Sequence, residues 1–293
     1  PIPLVSGART VHLCSAVSTA ETGKPNMIEC LVDGVIRDQV SASDRGLHYG
    51  DGLFETIAVF DGQPRFWQGH MDRLSAGCER LGLPVVPQAV LLRELQTVAA
   101  GRARCVVKIL LTRGASTIGY RPRPVAECKR IVSSYAWPVV EGKPDLTGVQ
   151  TRICDLRLGI QPELAGLNHL NRLEQVRARA EWNDDHIHEG ILLDREDHVI
   201  SGIRSNIFLV FGERILTPRL DRCGIRGVMR AAILAAFLER CEQRRLTIDM
   251  LPEADEVFIC NALHGVYPVT RIDHWEYEIG PVAREVQEWL ASQ

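Results

Sequence analysis

Short apolar runs of strand length, punctuated by turn residues and interrupted by amphipathic helical stretches, fill most of this chain and restrict it to a mixed α/β (α+β) architecture. Residues 28–32 and 35–36 read as strands on either side of Asp33-Gly34, a hairpin turn signal. Residues 70–81 predict an amphipathic helix with Met71, Leu74 and Cys78 at helical spacing, and 88–100 a second helix. Residues 104–113 and 130–137 are β-rich. Pro138, Gly142 and Pro144 then mark a polar boundary over 138–147. Beyond it the pattern predicts strands at 149–156, 190–194, 198–201, 206–210 and 215–217, and helices at 170–182, from 230 to about 239, and at 281–290. A chain of 293 residues is long enough to divide. The expected division is a smaller α/β domain over 27–140 and a larger one over 141–293, with a site at their junction. Residues 1–26 lack the apolar core of a signal peptide and are read as an extension to which no function is assigned.

Composition narrows the partners. Lys and Arg (34) against Asp and Glu (37) give a formal charge of −3, so there is no basic excess for nucleic acid or membrane, and a small-molecule substrate is the expectation. No apolar run approaches the roughly 20 residues that span a bilayer. The nine cysteines are odd in number and form no Cys-x-x-Cys pair, which fits a reducing cytoplasm and argues against a disulfide framework or a zinc site. The nine histidines show no ligand spacing with carboxylates or cysteines, so no metal is expected.

Several stretches carry chemistry. Residues 44–56 place three glycines within seven residues before a strand, which taken alone is a glycine-rich turn. Arg73, on the 70–81 helix, is either a solvated helix arginine or an anion ligand, a task its permanently charged planar fork suits. Arg113 stands at a strand end, where substrate contacts are common in α/β folds, with a surface arginine equally consistent. Gly227 precedes an apolar helix whose free N–H groups at Val228 and Met229 could hold an anion, though a plain cap is the usual role of such a glycine.

Set together, these stretches resemble one family. Glu163-Leu164-Ala165-Gly166-Leu167-Asn168-His169-Leu170-Asn171-Arg172-Leu173-Glu174-Gln175 resembles the active-site segment of the aminodeoxychorismate lyases, members of the fold type IV pyridoxal-phosphate enzymes. The Asp44–Thr56 motif, His70-Met71-Asp72-Arg73-Leu74, Gly224–Arg230 and Glu256–Leu263 are similar to further family motifs, and the likeness runs from Met27 to Gln293. It implies a two-domain fold type IV architecture and a homodimer with the site near the interface. The implied activity is a carbon–oxygen lyase reaction that eliminates pyruvate from 4-amino-4-deoxychorismate and gives 4-aminobenzoate for folate synthesis. The implied cofactor is pyridoxal 5'-phosphate, its phosphate held by Arg73 and the amides of Val228 and Met229, with Thr56 catalytic and Arg113 a substrate contact. D-amino-acid and branched-chain aminotransferases share much of this pattern, but residues 169–175 and 260–263 favour the lyases. A non-catalytic ligand- or partner-binding relative is the reading from a different class.

Two positions depart from the family. The Schiff-base lysine position holds Asn168, whose amide is neither nucleophile nor base near neutral pH, so covalent attachment of the cofactor is lost. The glutamate that keeps the pyridine nitrogen protonated is replaced by Ser201, which offers no counter-charge. Lys108 is not expected to stand in as the Schiff-base amine, since the lyases carry a lysine at the same place and still use the other. The anion-binding residues remain. The resulting expectation is that a carboxylate of a chorismate-like substrate occupies the phosphate cup and that elimination proceeds independently of the cofactor.

Overall fold

The structure, a computed structural model, describes residues 27–116, 119–122, 124, 127–139 and 142–293. The expected extension over residues 1–26 lies outside the described residues. Among those described, the strands between Met27 and Tyr135 form a six-stranded antiparallel sheet. Its order is Val35–Ile36, Met27–Val32, Lys129–Tyr135, Arg104–Thr112, Gly52–Phe60, Gln63–Pro64. Alternation along Gly52–Phe60 turns Leu53, Ile57 and Val59 toward the helices Trp67–Leu81 and Gln88–Ala99, where they pack with Met71, Leu74, Leu91 and Leu95. Glu55 lies on this same inward face. Phe54 and Thr56 occupy the other, half-buried face.

The strands from Val149 onward build a ten-stranded mixed sheet. Val149–Leu158 runs parallel to both Gly265–Ile272 and Ile187–Asp194, while Asn206–Phe211 and Glu256–Asn261 pair antiparallel. One side is covered by the helices Val228–Ala236 and Pro281–Ala291, with Met229, Ile233, Val282 and Val286 packed on Phe208 and Phe258. These two rings stack at 4.8 Å and are fully buried, each side chain stabilising the fold by about 1.5–3 kcal/mol through burial alone. Glu256 accepts from the N–H groups of Val282 (3.0 Å) and Ala283 (2.9 Å), so the helix Pro281–Ala291 receives an anion at its positive end from within the chain.

The expected helix over 170–182 is shorter, Leu173–Arg179, because Asn168 and Leu170 are drawn into extended pairing with the edge of Gly52–Phe60. The expected helix reaching residue 239 ends at Ala236, and Cys241–Arg244 returns as a parallel edge strand beside Arg214–Pro218. Its sequence, Cys-Glu-Gln-Arg, carries no strand pattern. Within the expected glycine-rich turn, Arg45–Tyr49 forms a short helix capped by the Asp44 carboxylate on the Gly46 N–H (2.7 Å).

Candidate active site

Asn168 sits where three elements meet. The Phe54 N–H donates to the Asn168 carbonyl (2.9 Å) and the Leu170 N–H to the Gly52 carbonyl (3.0 Å), closing the edge of the first sheet. Two residues earlier, the Gly166 N–H donates to the Gly224 carbonyl (2.8 Å) and the Arg226 N–H to the Gly166 carbonyl (3.2 Å), tying the segment to the loop before Val228–Ala236. Gly166 has φ +82°, and a Cβ there would press on the Arg226 side chain, so this double attachment requires glycine. The Asn168 side chain is buried, and its Nδ2 donates to the Phe54 carbonyl. This is a structural hydrogen bond made with a group that can attach nothing.

Beside it lies an anion cup. The Val228–Ala236 helix begins at Gly227 with no side-chain cap and no acidic residue in its first turn, in contrast to the helix served by Glu256. Its N–H groups and dipole are therefore left for an external anion. A Cβ at Gly227 would overlap the Asn206 Oδ1, while the Asn206 Nδ2 holds the Ile225 carbonyl at 3.0 Å; the backbone approach fixes the cup's shape. Arg73 reaches across from Trp67–Leu81 and donates to the Arg226 carbonyl (3.2 Å). Arg230, 3 % exposed and bonded to Thr217, Pro218 and Gln243, adds a positive charge without a carboxylate partner among the described residues.

Arg73 is braced from below. Glu55, fully buried, accepts from Arg73 Nε (2.9 Å) and from a second Arg73 nitrogen, and shares a 2.6 Å hydrogen bond with His70 Nδ1. Burial pushes the Glu55 carboxyl up, but Arg73 and His70 outweigh it and hold its pKa below the ordinary value. His70 Nε2 is buried with no partner among the described residues. Sequence reasoning did not single out Glu55 and His70. The signal lay in the i, i+3 spacing of His70 and Arg73 on one helix face and in a glutamate at an inward position between Leu53 and Ile57.

The remaining expected residues are spread around this centre. Val228 and Met229 form the first turn at the cup, both buried. Ser201, 7 % exposed, lies on His198–Gly202 opposite Leu192. Thr56 is on the outer face of Gly52–Phe60, directly across from Lys108. Arg113 spends its guanidinium on Asp51 (2.8 and 3.2 Å) and on the carbonyls of Leu81 (2.7 Å) and Gly82 (2.9 Å), and is 7 % exposed. It acts as a brace in this arrangement. Asp51 also takes Arg45 (2.8 Å); burial raises its carboxyl's pKa, but the two arginines prevail and lower it. A cleft of about 730 Å³ flanks the segment, lined by residues 46–50, 158–161 and 169–176 but by none of the expected site residues. In it Arg172 donates to the His169 ring (2.8 Å) and has a buried Nε with no partner among the described residues, while burial and Arg172 push His169 down to about 4.

The donor set answers whether pyridoxal phosphate suits this site. The uncapped helix start and Arg73 fit its phosphate. Its reactive ring finds no matching group here: Asn168 carries an amide already bonded to the Phe54 carbonyl, and Ser201 brings no charge.

Two sheets, a hydrogen-bonded joining segment and an anion cup between them define an α/β enzyme scaffold. Residues 52–272 match the amino-transferase class IV family, and the chain belongs to it. It is 34% identical over 263 residues to an aminodeoxychorismate lyase of Vibrio harveyi, covering 87% of this chain and 97% of that one. A crystal structure of 4-amino-4-deoxychorismate lyase from Pseudomonas aeruginosa superposes with TM-score 0.86 at 41% identity, covering 90% of this chain and 98% of that one. At the level of fold alone, a T.th. branched-chain amino acid aminotransferase complexed with N-(5'-phosphopyridoxyl)-L-glutamate gives TM-score 0.79 at 22% identity, covering 92% of this chain and 94% of that one. Among the described residues no helix is long and apolar enough to cross a membrane.

Proposed function

We propose that this chain is an aminodeoxychorismate lyase that eliminates pyruvate from 4-amino-4-deoxychorismate to form 4-aminobenzoate, and that it does so without covalent attachment of pyridoxal phosphate. The observation that carries the reading is likeness to lyases over nearly their whole length, joined to an anion cup that survives although the amine beside it does not. The substrate carries two carboxylates, and one of them is matched to the cup by the free N–H groups of Val228 and Met229 and by Arg73. Arg113 supports the site through Asp51. A homodimer suits the exposed Leu47 (70%), Leu173 (71%) and Val176 (61%) beside the flanking cleft, and a cytoplasmic location suits the free cysteines.

The test follows 4-aminobenzoate and pyruvate together by chromatography after mixing purified protein with 4-amino-4-deoxychorismate. Equimolar appearance of both supports the lyase. Binding of the substrate without either product would identify a ligand-binding relative instead, and transfer of the amine to a 2-oxo acid would identify an aminotransferase. Because one cup serves both anions, substrate and pyridoxal phosphate should compete; simultaneous binding of the two would sink the shared-cup reading.

A further inference from the structure

The elimination needs a group that takes the proton from the ring carbon bearing the amine, and Asn168 cannot be it. The chain has four lysines, at 24, 108, 129 and 143. Of the three that are described, Lys129 pairs with Asp33 and Lys143 is exposed. Lys108 is half-buried and forms no hydrogen bond or ion pair among the described residues; its ammonium lies 5.2 Å from the centroid of the Phe54 ring.

Register places Lys108 on the outer face of the first sheet, the face that carries Thr56 and Phe54 and is opposite the helix-packed one that carries Glu55. It is directly across from Thr56, one pair along from Leu110 and Phe54, and Phe54 in turn hydrogen-bonds with Asn168. Across the other neighbouring strand it faces Ser133, with Ser133 Oγ donating to the Tyr135 hydroxyl (3.2 Å), and Cys30 pairs with Ser133 beyond. Tyr135 and Cys30 are the titratable groups nearest to it on this face; Arg104 and Lys129 lie toward the strand ends, Lys129 being paired with Asp33. Burial alone, with no charged partner, pushes the Lys108 amine below its usual range.

Resting on the lyase reading above, we propose that Lys108 is the catalytic base of this chain, acting as a free amine rather than through a covalent bond. The neutral amine takes the proton from C4 of the ring. The released electron pair forms the C3–C4 double bond that completes the aromatic ring, and the C3–O bond breaks. The enolpyruvyl fragment leaves, and its methylene carbon takes the proton back from the Lys108 ammonium as pyruvate forms. Atoms and electrons balance without oxidant or reductant. Thr56 and Ser133, opposite Lys108 on its two neighbouring strands, are the hydroxyls placed in register to relay that proton.

The experiment compares the unmodified chain with Lys108→Met and Lys108→Arg for pyruvate release across pH 6–10, with 4-aminobenzoate affinity measured by calorimetry. General-base loss lowers kcat by roughly 100-fold or more in both variants, because arginine keeps the charge but not the basicity. Affinity for 4-aminobenzoate stays within about threefold, and the rising limb of the pH profile disappears. In parallel, pulse acetylation read by peptide mass spectrometry should modify Lys108 at a lower pH than Lys143, with 4-aminobenzoate protecting it. Turnover within about threefold of the unmodified chain in Lys108→Met would overturn the assignment while leaving the lyase reading standing. No pyruvate from the unmodified chain would overturn the lyase reading, and this base with it.

Discussion

Replacing Glu55 by Gln tests the brace beneath the anion cup. The carboxylate is fully buried and accepts two hydrogen bonds from Arg73 and one shared with His70. Glutamine removes the charge and turns an NH₂ toward one of those donors, so one bond becomes a repulsive contact and Arg73 loses its counter-ion. Breaking one side of a buried pair costs about 3–5 kcal/mol. Arg73 keeps some solvent, its side chain being 17% exposed, and its bond to the Arg226 carbonyl, so the low end, about 3 kcal/mol, applies. For a chain of this size that is a fall in Tm of roughly 6–12 °C, read by scanning calorimetry near neutral pH. The sign with pH follows from the depressed pKa. The stabilisation is complete above the ordinary glutamate value and is lost as pH falls through the lower folded one, so the gap between the two proteins should close in acid. A Glu55→Gln protein within about 1 kcal/mol of the parent, or a gap that persists below the folded pKa, would refute the reasoning.

Two further outcomes follow from the same geometry. Gly227→Ala drives a Cβ into the Asn206 Oδ1 and should cost about 1–3 kcal/mol in urea unfolding and weaken inorganic phosphate binding by roughly tenfold, about 1.4 kcal/mol; unchanged phosphate affinity would remove this helix start from the cup. Among the described cysteines, Cys241 is the one not fully buried, and burial raises its thiol to about 11, against about 12 for Cys78, Cys154, Cys223 and Cys260. Alkylation of the native protein followed by peptide mapping should therefore be slow and reach Cys241 first, and earlier labelling of Cys260 would contradict the packing described.

Much of this arrangement was legible in residue order where local chemistry decides it. The Asp33-Gly34 hairpin and the helix containing Arg73 follow from turn preference and periodicity, and Gly227 marks a helix start whose free N–H groups could hold an anion. What was hidden depends on contacts distant in sequence. Leu170 has a helical pattern, yet its N–H is claimed by Gly52, over a hundred residues earlier, so the helix starts at Leu173. Arg113 at a strand end suggested a substrate contact, but only the fold shows Asp51 and the end of Trp67–Leu81 absorbing its donors. Glu55 was visible as part of a motif, while its pairing with His70 and Arg73 needs the helix laid against the strand.

The most direct test of the account is the dependence of pyruvate release on pyridoxal phosphate, measured in the unmodified chain and in Asn168→Lys. The account expects turnover of 4-amino-4-deoxychorismate by the unmodified chain that is unchanged when the cofactor is removed and inhibited when it is added in excess, because the two compete for one cup. Turnover that appears only after Asn168→Lys and only with the cofactor present would contradict it, and would make this chain a disabled copy of its relatives.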